Sequence, residues 1–351
     1  MNDFNKFIEL SHYAGTRWDL VQAGGGNTSV KIDNVMYIKA SGYLLSEISE
    51  NYGIAKVDLN KINQTSKNAN VLNAIDKKTR ELVSSELVRE ATISVDNKPS
   101  IETLLHSLLD KFVLHTHSLV SNIFLVQKDW KEKLKLFFPN AIFVNYQTPG
   151  IDLAIELEKE LSNYNETGTK IIFLQNHGII LASELHTDII QTSEWISITL
   201  EKVLKIDFSQ YRYSNKLLNY LKSIHSNEHQ VVYYSELISS KYKTIKKLAQ
   251  PISPDVFVFC GYEIIDVTNN LQNIDLYHKK YGESPKIIKN ITDFYIIGTT
   301  IKKVKEQEEL LNFQLYISQY LANSELEYNT ISDEEMFYLG NWDAEKHRQK
   351  L

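Results

Sequence analysis

The apolar run Phe112-Val113-Leu114 leads straight into His115-Thr116-His117-Ser118. Such a run reads as a strand, and because strand side chains repeat every two residues, both imidazoles leave the same face. A second apolar run, Ile171 to Leu174, is followed by Gln175-Asn176-His177-Gly178. Three imidazoles from two such segments can close one side of a divalent cation and leave its other positions open to water or substrate. That is the pattern of a catalytic rather than a structural site. The plainer alternatives are two half-exposed strand histidines by accident, and a buried His177 donating to a backbone carbonyl. The favoured reading is a metal trio, with Gly178 permitting a sharp turn beside it. Cys260 is the one cysteine, so no intrachain disulfide or thiolate site can form, and a metal must rely on histidine and carboxylate.

Glu102 lies in the first turn of a helix expected from Pro99-Ser100 to Leu109, with Ser100 as its cap. A carboxylate there can serve the helix dipole, or it can be the acid/base of a nearby metal site. His106, four residues on, shares its helix face and reads as a supporting partner of Glu102 rather than a ligand. Gly24-Gly25-Gly26-Asn27-Thr28-Ser29 has neither dinucleotide-binding nor Walker spacing. Consecutive glycines still let backbone N–H groups approach an anion, Asn27, Thr28 and Ser29 add donors, and Lys39-Ala40-Ser41-Gly42 supplies a second small-residue turn with a cation. Phosphate is the candidate ligand; a flexible turn is the alternative.

The remaining pattern is that of a layered α/β or α+β protein. A helix after Asp3 as cap, a hairpin Val30-Lys31-Ile32 and Val35 to Lys39, strands at Phe112–His117, Ile142–Tyr146 and Ile171–Leu174, and helices at Leu119–Val126, Leu153–Leu161 and Thr187–Val203 are expected. Asn60 to Ser94 reads as charged and moderately helical, and Gln147 to Gly150 as a strand-to-helix turn. Beyond it, a helix over Tyr233–Leu248, a strand Val256–Cys260 after Pro251 and Pro254, a strand Tyr295–Ile297, a helix Ile301–Tyr320 and a polar tail from Asn341 are expected. The other histidines, His12, His186, His225, His229, His278 and His347, lack partners at ligand spacing.

The 351 residues and 43% hydrophobic content suit one large or two ordinary domains, and a net charge of −6 with interspersed signs argues against a nucleic-acid face. Neither a signal-peptide pattern nor a membrane-length apolar run is present, which predicts a cytoplasmic protein without a membrane partner.

Taken in order, Val21 to Lys31, Ile38-Lys39-Ala40-Ser41-Gly42, Lys98 to Thr103, His115-Thr116-His117 and Asn176-His177-Gly178 resemble the class II aldolase/adducin family. The resemblance runs from about Phe4 to Leu204, and Asn341 to Arg348 resembles extended bacterial members with a C-terminal extension. It implies a three-layer α/β/α domain with a central, mainly antiparallel sheet over residues 1–225, and a smaller α/β unit of unassigned role over 226–351. It also implies a divalent metal, zinc in the usual case, on His115, His117 and His177, with Glu102 as acid/base. Phosphate binding would fall on Gly26, Asn27, Thr28, Ser41, Gly42 and Ser100, beside Lys39. Ile101 departs from the family's sugar-phosphate aldolases, which commonly carry a second serine there. Members are often cyclic tetramers, so a homo-oligomer is expected, with a small carbohydrate, commonly phosphorylated, as substrate.

The reaction this implies is aldol or retro-aldol cleavage of a sugar or sugar phosphate through an enediolate, the cation polarising the carbonyl and Glu102 carrying the proton. A dehydratase or an epimerase would use the same metal; family epimerases carry aspartate where Glu102 stands. A non-catalytic, adducin-like interaction module is the alternative from another class, disfavoured by the presence of all three histidines.

Overall fold

The computed structural model describes residues 2–224, 231–243, 245, 250–268 and 270–341. The chain divides into two compact units, Met1–Phe208 and Ser209–Leu351.

The first unit is built on a seven-stranded sheet in the order β3-β2-β1-β4-β7-β6-β5. Its strands are β1 (Asn27–Ile32), β2 (Val35–Lys39), β3 (Ile54–Asp58), β4 (Phe112–Thr116), β5 (Ile142–Val144), β6 (Lys170–Leu174) and β7 (Gly178–Ser183). Every pairing is antiparallel except that of β5 with β6. Strands covered on both faces read as continuous apolar runs, and β4 and β7 are buried along their whole length. Phe112, Leu114, Ile179 and Leu181 enter one apolar cluster with the helices Asp3–Gly15 and His186–Leu204. Val113, Ile180 and Ala182 enter the opposite cluster with the helix Ile151–Ser162 and the short helix Thr103–Ser107. This is the expected three-layer, mainly antiparallel α/β/α arrangement, and strand alternation places His115 on the Val113 face, under the helix that follows Glu102.

The second unit has a four-stranded sheet, β8-β11-β10-β9, comprising β8 (Val231–Tyr234), β9 (Ile265–Asp266), β10 (Ile287–Asn290) and β11 (Asp293–Gly298). Leu217, Leu218 and Leu221 of the helix Ser209–Ile224 and Ile274 of the helix Asn273–Tyr281 pack with Val232, Ile288 and Tyr295. Ile238, Val256, Val304, Leu311 and Leu315 pack with Ile287, Phe294 and Ile296. The helix Ser209–Ile224, expected with the first unit, therefore lies with the second, because its apolar stripe has its partners on that sheet.

Several expectations are corrected. Val256–Cys260 is not a strand: Pro254–Cys260 is a helix with Pro254 in its first turn and the Ser253 side chain accepting from Val256 N. Start signals of that strength outweigh the β preference of Val-Phe-Val-Phe. Tyr233–Leu248 is not one helix. Val231–Tyr234 is a strand, and Ser235 caps a separate helix, Glu236–Lys241; residues 244 and 246–249 lie outside those described. Asn2 rather than Asp3 caps the first helix, accepting from Asn5 N at 2.8 Å. The polar tail beyond Asn341 and the histidines His225, His229 and His347 lie outside the described residues. Among the described residues no helix is long and apolar enough to cross a membrane.

Candidate metal centre

β1 and β4 pair so that Asn27 and His115 are directly opposite, and β4 pairs with β7 so that His115 faces Ile180. Three strands therefore end together. His115 is the penultimate residue of β4, His117 follows that strand, and His177 immediately precedes β7. The β6–β7 turn that carries His177 is shaped by Asn176 at φ 54°, with His177 N donating to Leu174 O. Asparagine tolerates the left-handed region, so the sharp bend falls on Asn176 and not, as expected, on Gly178. Gly178 is required for another reason: a Cβ there would stand 2.3 Å from Thr116 O.

The three histidines converge, each offering a ring nitrogen, with all three nitrogens within 4.8 Å of one another. Ring centroids lie 5.0 Å apart for His115 and His117, 4.8 Å for His115 and His177, and 5.4 Å for His117 and His177. Glu102 completes the cluster. Its Oε1 is 3.0 Å from His177 Nε2 and 3.3 Å from His115 Nε2, while its Oε2 accepts from Asn27 Nδ2.

These contacts fit a cation. His115 Nδ1 lies 3.1 Å from Ile179 O, which requires the proton on Nδ1 and leaves a lone pair on Nε2. That buried Nε2 has no hydrogen-bond partner among the described residues, yet a carboxylate oxygen stands beside it. Two electron-rich atoms in so dry a place oppose each other unless positive charge sits near both. Burial pushes His115 down to about 4 and also lowers His117, which keeps both imidazoles neutral and able to ligate. Burial alone would raise Glu102; attraction to His115 and His177 in their protonated forms, present in acid, outweighs it and holds the group below the usual carboxylate range. The shifts together favour an anionic Glu102 beside neutral His115 and His117 near neutral pH.

The phosphate candidates divide. Alternation along β1 sends Asn27, Ser29 and Lys31 to the Glu102 side, where Ser29 Oγ pairs with His106 Nδ1 at 2.8 Å. Thr28 faces the other way, its hydroxyl 2.6 Å from Ser11 Oγ, so its side chain is not brought to the site. Gly26 is at φ 70°, and a Cβ would meet His115 O at 2.9 Å. Lys39 is buried, and its Nζ donates to Gly24 O at 3.0 Å and Tyr43 O at 2.9 Å, joining the two small-residue loops. Burial pushes it down to about 8 against the opposing pull of Glu102. Ser41 and Gly42 are exposed, and the bridge between Ala40 and Pro99 sets their loop beside Ser100. Ser100 does not open a long helix. Its Oγ accepts from Glu102 N at 3.2 Å in a turn, and the helix proper is Thr103–Ser107. His106 is fully buried and bonded to Ser29 rather than Glu102, its Nε2 having no hydrogen-bond partner among the described residues.

Sequence reasoning missed Ser29 as the anchor of His106 and Gly25 as a neighbour of His117, although the two-residue period from Asn27 already put Ser29 on the same face. Of the histidines expected to stand apart, His12 Nε2 pairs with Ile48 O and His186 Nε2 with Glu9.

Residues 5–206 match the family model of the class II aldolase and adducin N-terminal domain, more than half of the chain. The chain belongs to this family and is longer than the domain that defines it. L-fuculose phosphate aldolase of Methanococcus vannielii is 29% identical over 212 residues, which cover 58% of this chain and 95% of that protein. Among solved structures, the N-terminal class II aldolase domain of a conserved protein from Thermoplasma acidophilum aligns with a TM-score of 0.50 at 24% identity. That alignment covers 58% of this chain and 94% of the other.

Proposed function

We propose that the chain is a metal-dependent lyase that makes or breaks a carbon–carbon bond in a sugar phosphate by aldol chemistry. The observation that carries this reading is the placement of Glu102 Oε1 within 3.0 Å of His177 Nε2 at the meeting point of three convergent imidazoles. His115, His117 and His177 would hold a divalent cation, zinc in the first instance. When bound, such a cation supplies Lewis acidity, stabilising negative charge that develops on oxygen as the bond breaks, by several kcal/mol.

Glu102 moves the proton at the carbon that becomes, or ceases to be, nucleophilic. Asn27 holds Glu102 Oε2, which orients the carboxylate and leaves Oε1 toward the imidazoles. Asn27 Oδ1 is buried with no hydrogen-bond partner among the described residues, a ready acceptor for a substrate hydroxyl. The loops carrying Gly26, Ser41, Gly42 and Ser100 would receive the phosphate, with the Lys39 ammonium supplying charge behind them. The name of the Methanococcus vannielii relative supports L-fuculose phosphate as the first substrate to try.

The test is a screen of ketose phosphates for cleavage by the EDTA-treated and zinc-restored protein, with Glu102→Gln alongside. Cleavage that needs the metal and falls about 10²- to 10⁴-fold in kcat in the variant supports the proposal. Full activity of Glu102→Gln would remove Glu102 from its role.

A further inference from the structure

Gly25 is a glycine whose backbone does not ask for one. It is absent from the positive-φ residues, unlike Gly26, so its φ does not bar an alanine. The nearest obstacle to a side chain is a ring: a Cβ at Gly25 would lie 2.8 Å from His117 Nδ1 and 3.0 Å from His117 Cε1, with Gln22 O also at 3.0 Å. From across the sheet, a Cβ at Gly178 would lie 3.3 Å from His117 Cδ2 and 3.2 Å from His115 Cε1. The His117 ring thus fits between two glycines 153 positions apart (178 − 25), and Nε2 is not among the three atoms nearest to either Cβ position. The loop carrying Gly25 is pinned at both ends. Gly25 N donates to Gln22 O at 3.0 Å, and Gly24 O accepts from the buried Lys39 at 3.0 Å. A side chain at 25 cannot be relieved by an easy shift of its own backbone, so the imidazole has to give way.

We infer that Gly25 is a positioning residue of the metal centre: the bare backbone there, backed by the Lys39 strap, sets the place of the His117 ring so that its nitrogen meets those of His115 and His177. This rests on the metal-binding reading proposed above. It also assigns the middle of the glycine triplet to the histidine rather than to an anion, since the Gly25 N–H is already spent on Gln22 O.

The experiment measures zinc affinity by chelator competition for wild type, Gly25→Ala and Gly24→Ala, with the melting temperature of each metal-free protein. A Cβ at Gly24 meets nothing within 4 Å, so Gly24→Ala is the local control. The expected result is a zinc affinity weakened about 10- to 100-fold in Gly25→Ala, the range seen when groups that orient ligands are altered. Gly24→Ala should bind as wild type, and the metal-free melting temperatures should agree. In a His117→Ala background, adding Gly25→Ala should produce no further loss, since the ring it displaces is gone. Wild-type affinity in Gly25→Ala would overturn the inference, and so would a fall in its metal-free melting temperature, which would assign the glycine to the fold. Absence of zinc binding by the wild type would instead overturn the metal-centre reading itself.

Discussion

Asn27 and Glu102, 75 positions apart, are joined by a hydrogen bond from the asparagine amide to one carboxylate oxygen, and the other oxygen is thereby left facing His177. The bond exists because β1 begins at Asn27 opposite His115, while the short helix after Glu102 covers the same sheet face. Asn27→Ala frees the carboxylate to rotate. Zinc affinity should change little, while kcat should fall about 10- to 100-fold, a cost of roughly 1.4–2.7 kcal/mol in transition-state stabilisation. Steady-state kinetics with parallel metal analysis checks this.

Lys39 bonds two backbone carbonyls on different loops, Gly24 O and Tyr43 O. Lys39→Met leaves both carbonyls unpaired and unties the loops. Amide hydrogen exchange should speed up over residues 22–26 and 41–44 without a comparable change in β4 or β7, and KM for a phosphorylated substrate should rise more than kcat falls. Unchanged exchange in both loops would contradict the role of strap.

Arg17 is fully buried, and its guanidinium pairs through Nε and Nη2 with Asp19 and through Nη1 with Glu194, which also accepts from Tyr13 OH. Asp19 O accepts from Leu119 N, linking this cluster to the helix that follows His117. Removing one partner of a buried ion pair strands the other charge. Asp19→Ala should therefore cost about 3 kcal/mol, the low end of the range because Glu194 still pairs with Arg17. Urea unfolding should show this as a lowered midpoint at unchanged slope.

Cys260 is 4% exposed among Val256, Leu311 and neighbouring apolar residues, and burial pushes its thiol up to about 12 from an ordinary 9.0. An acid whose folded pKa is raised stabilises the fold while it stays protonated in both states. Above pH 9 the unfolded chain sheds this proton first, so its contribution is lost as pH rises from about 9 to 12. Cys260→Ala should flatten the decline in stability over that window, apart from a constant packing cost. At pH 8 the native thiol should resist iodoacetamide and react only after denaturation.

The sequence pointed to His115 and His117 as a pair because strand periodicity is local: an apolar run ending in His-x-His turns both rings to one face wherever that strand lies. It left Glu102 open between helix-dipole partner and acid/base until family resemblance chose, since nothing local reveals that a residue thirteen positions before His115 folds back over it. Thr28 was misjudged as a donor because Gly-Asn-Thr-Ser looks uniform as composition, while alternation along β1 turns Thr28 toward Ser11 and Asn27 toward Glu102. Val256-Phe257-Val258-Phe259 has strand residues in a helix, where the cap Ser253 and Pro254 prevail over propensity. The contact of Gly25 with His117 spans 92 positions (117 − 25) and leaves no trace in spacing or hydropathy.

The most direct test is calorimetric titration of zinc into the EDTA-stripped wild type and into His177→Ala. One ion per chain in the wild type, with affinity at least about 100-fold weaker in the variant, is the expected result, since a three-imidazole site loses a ligand bond outright. Equal binding by the two proteins, or none by the wild type, would contradict a metal centre at His115, His117 and His177.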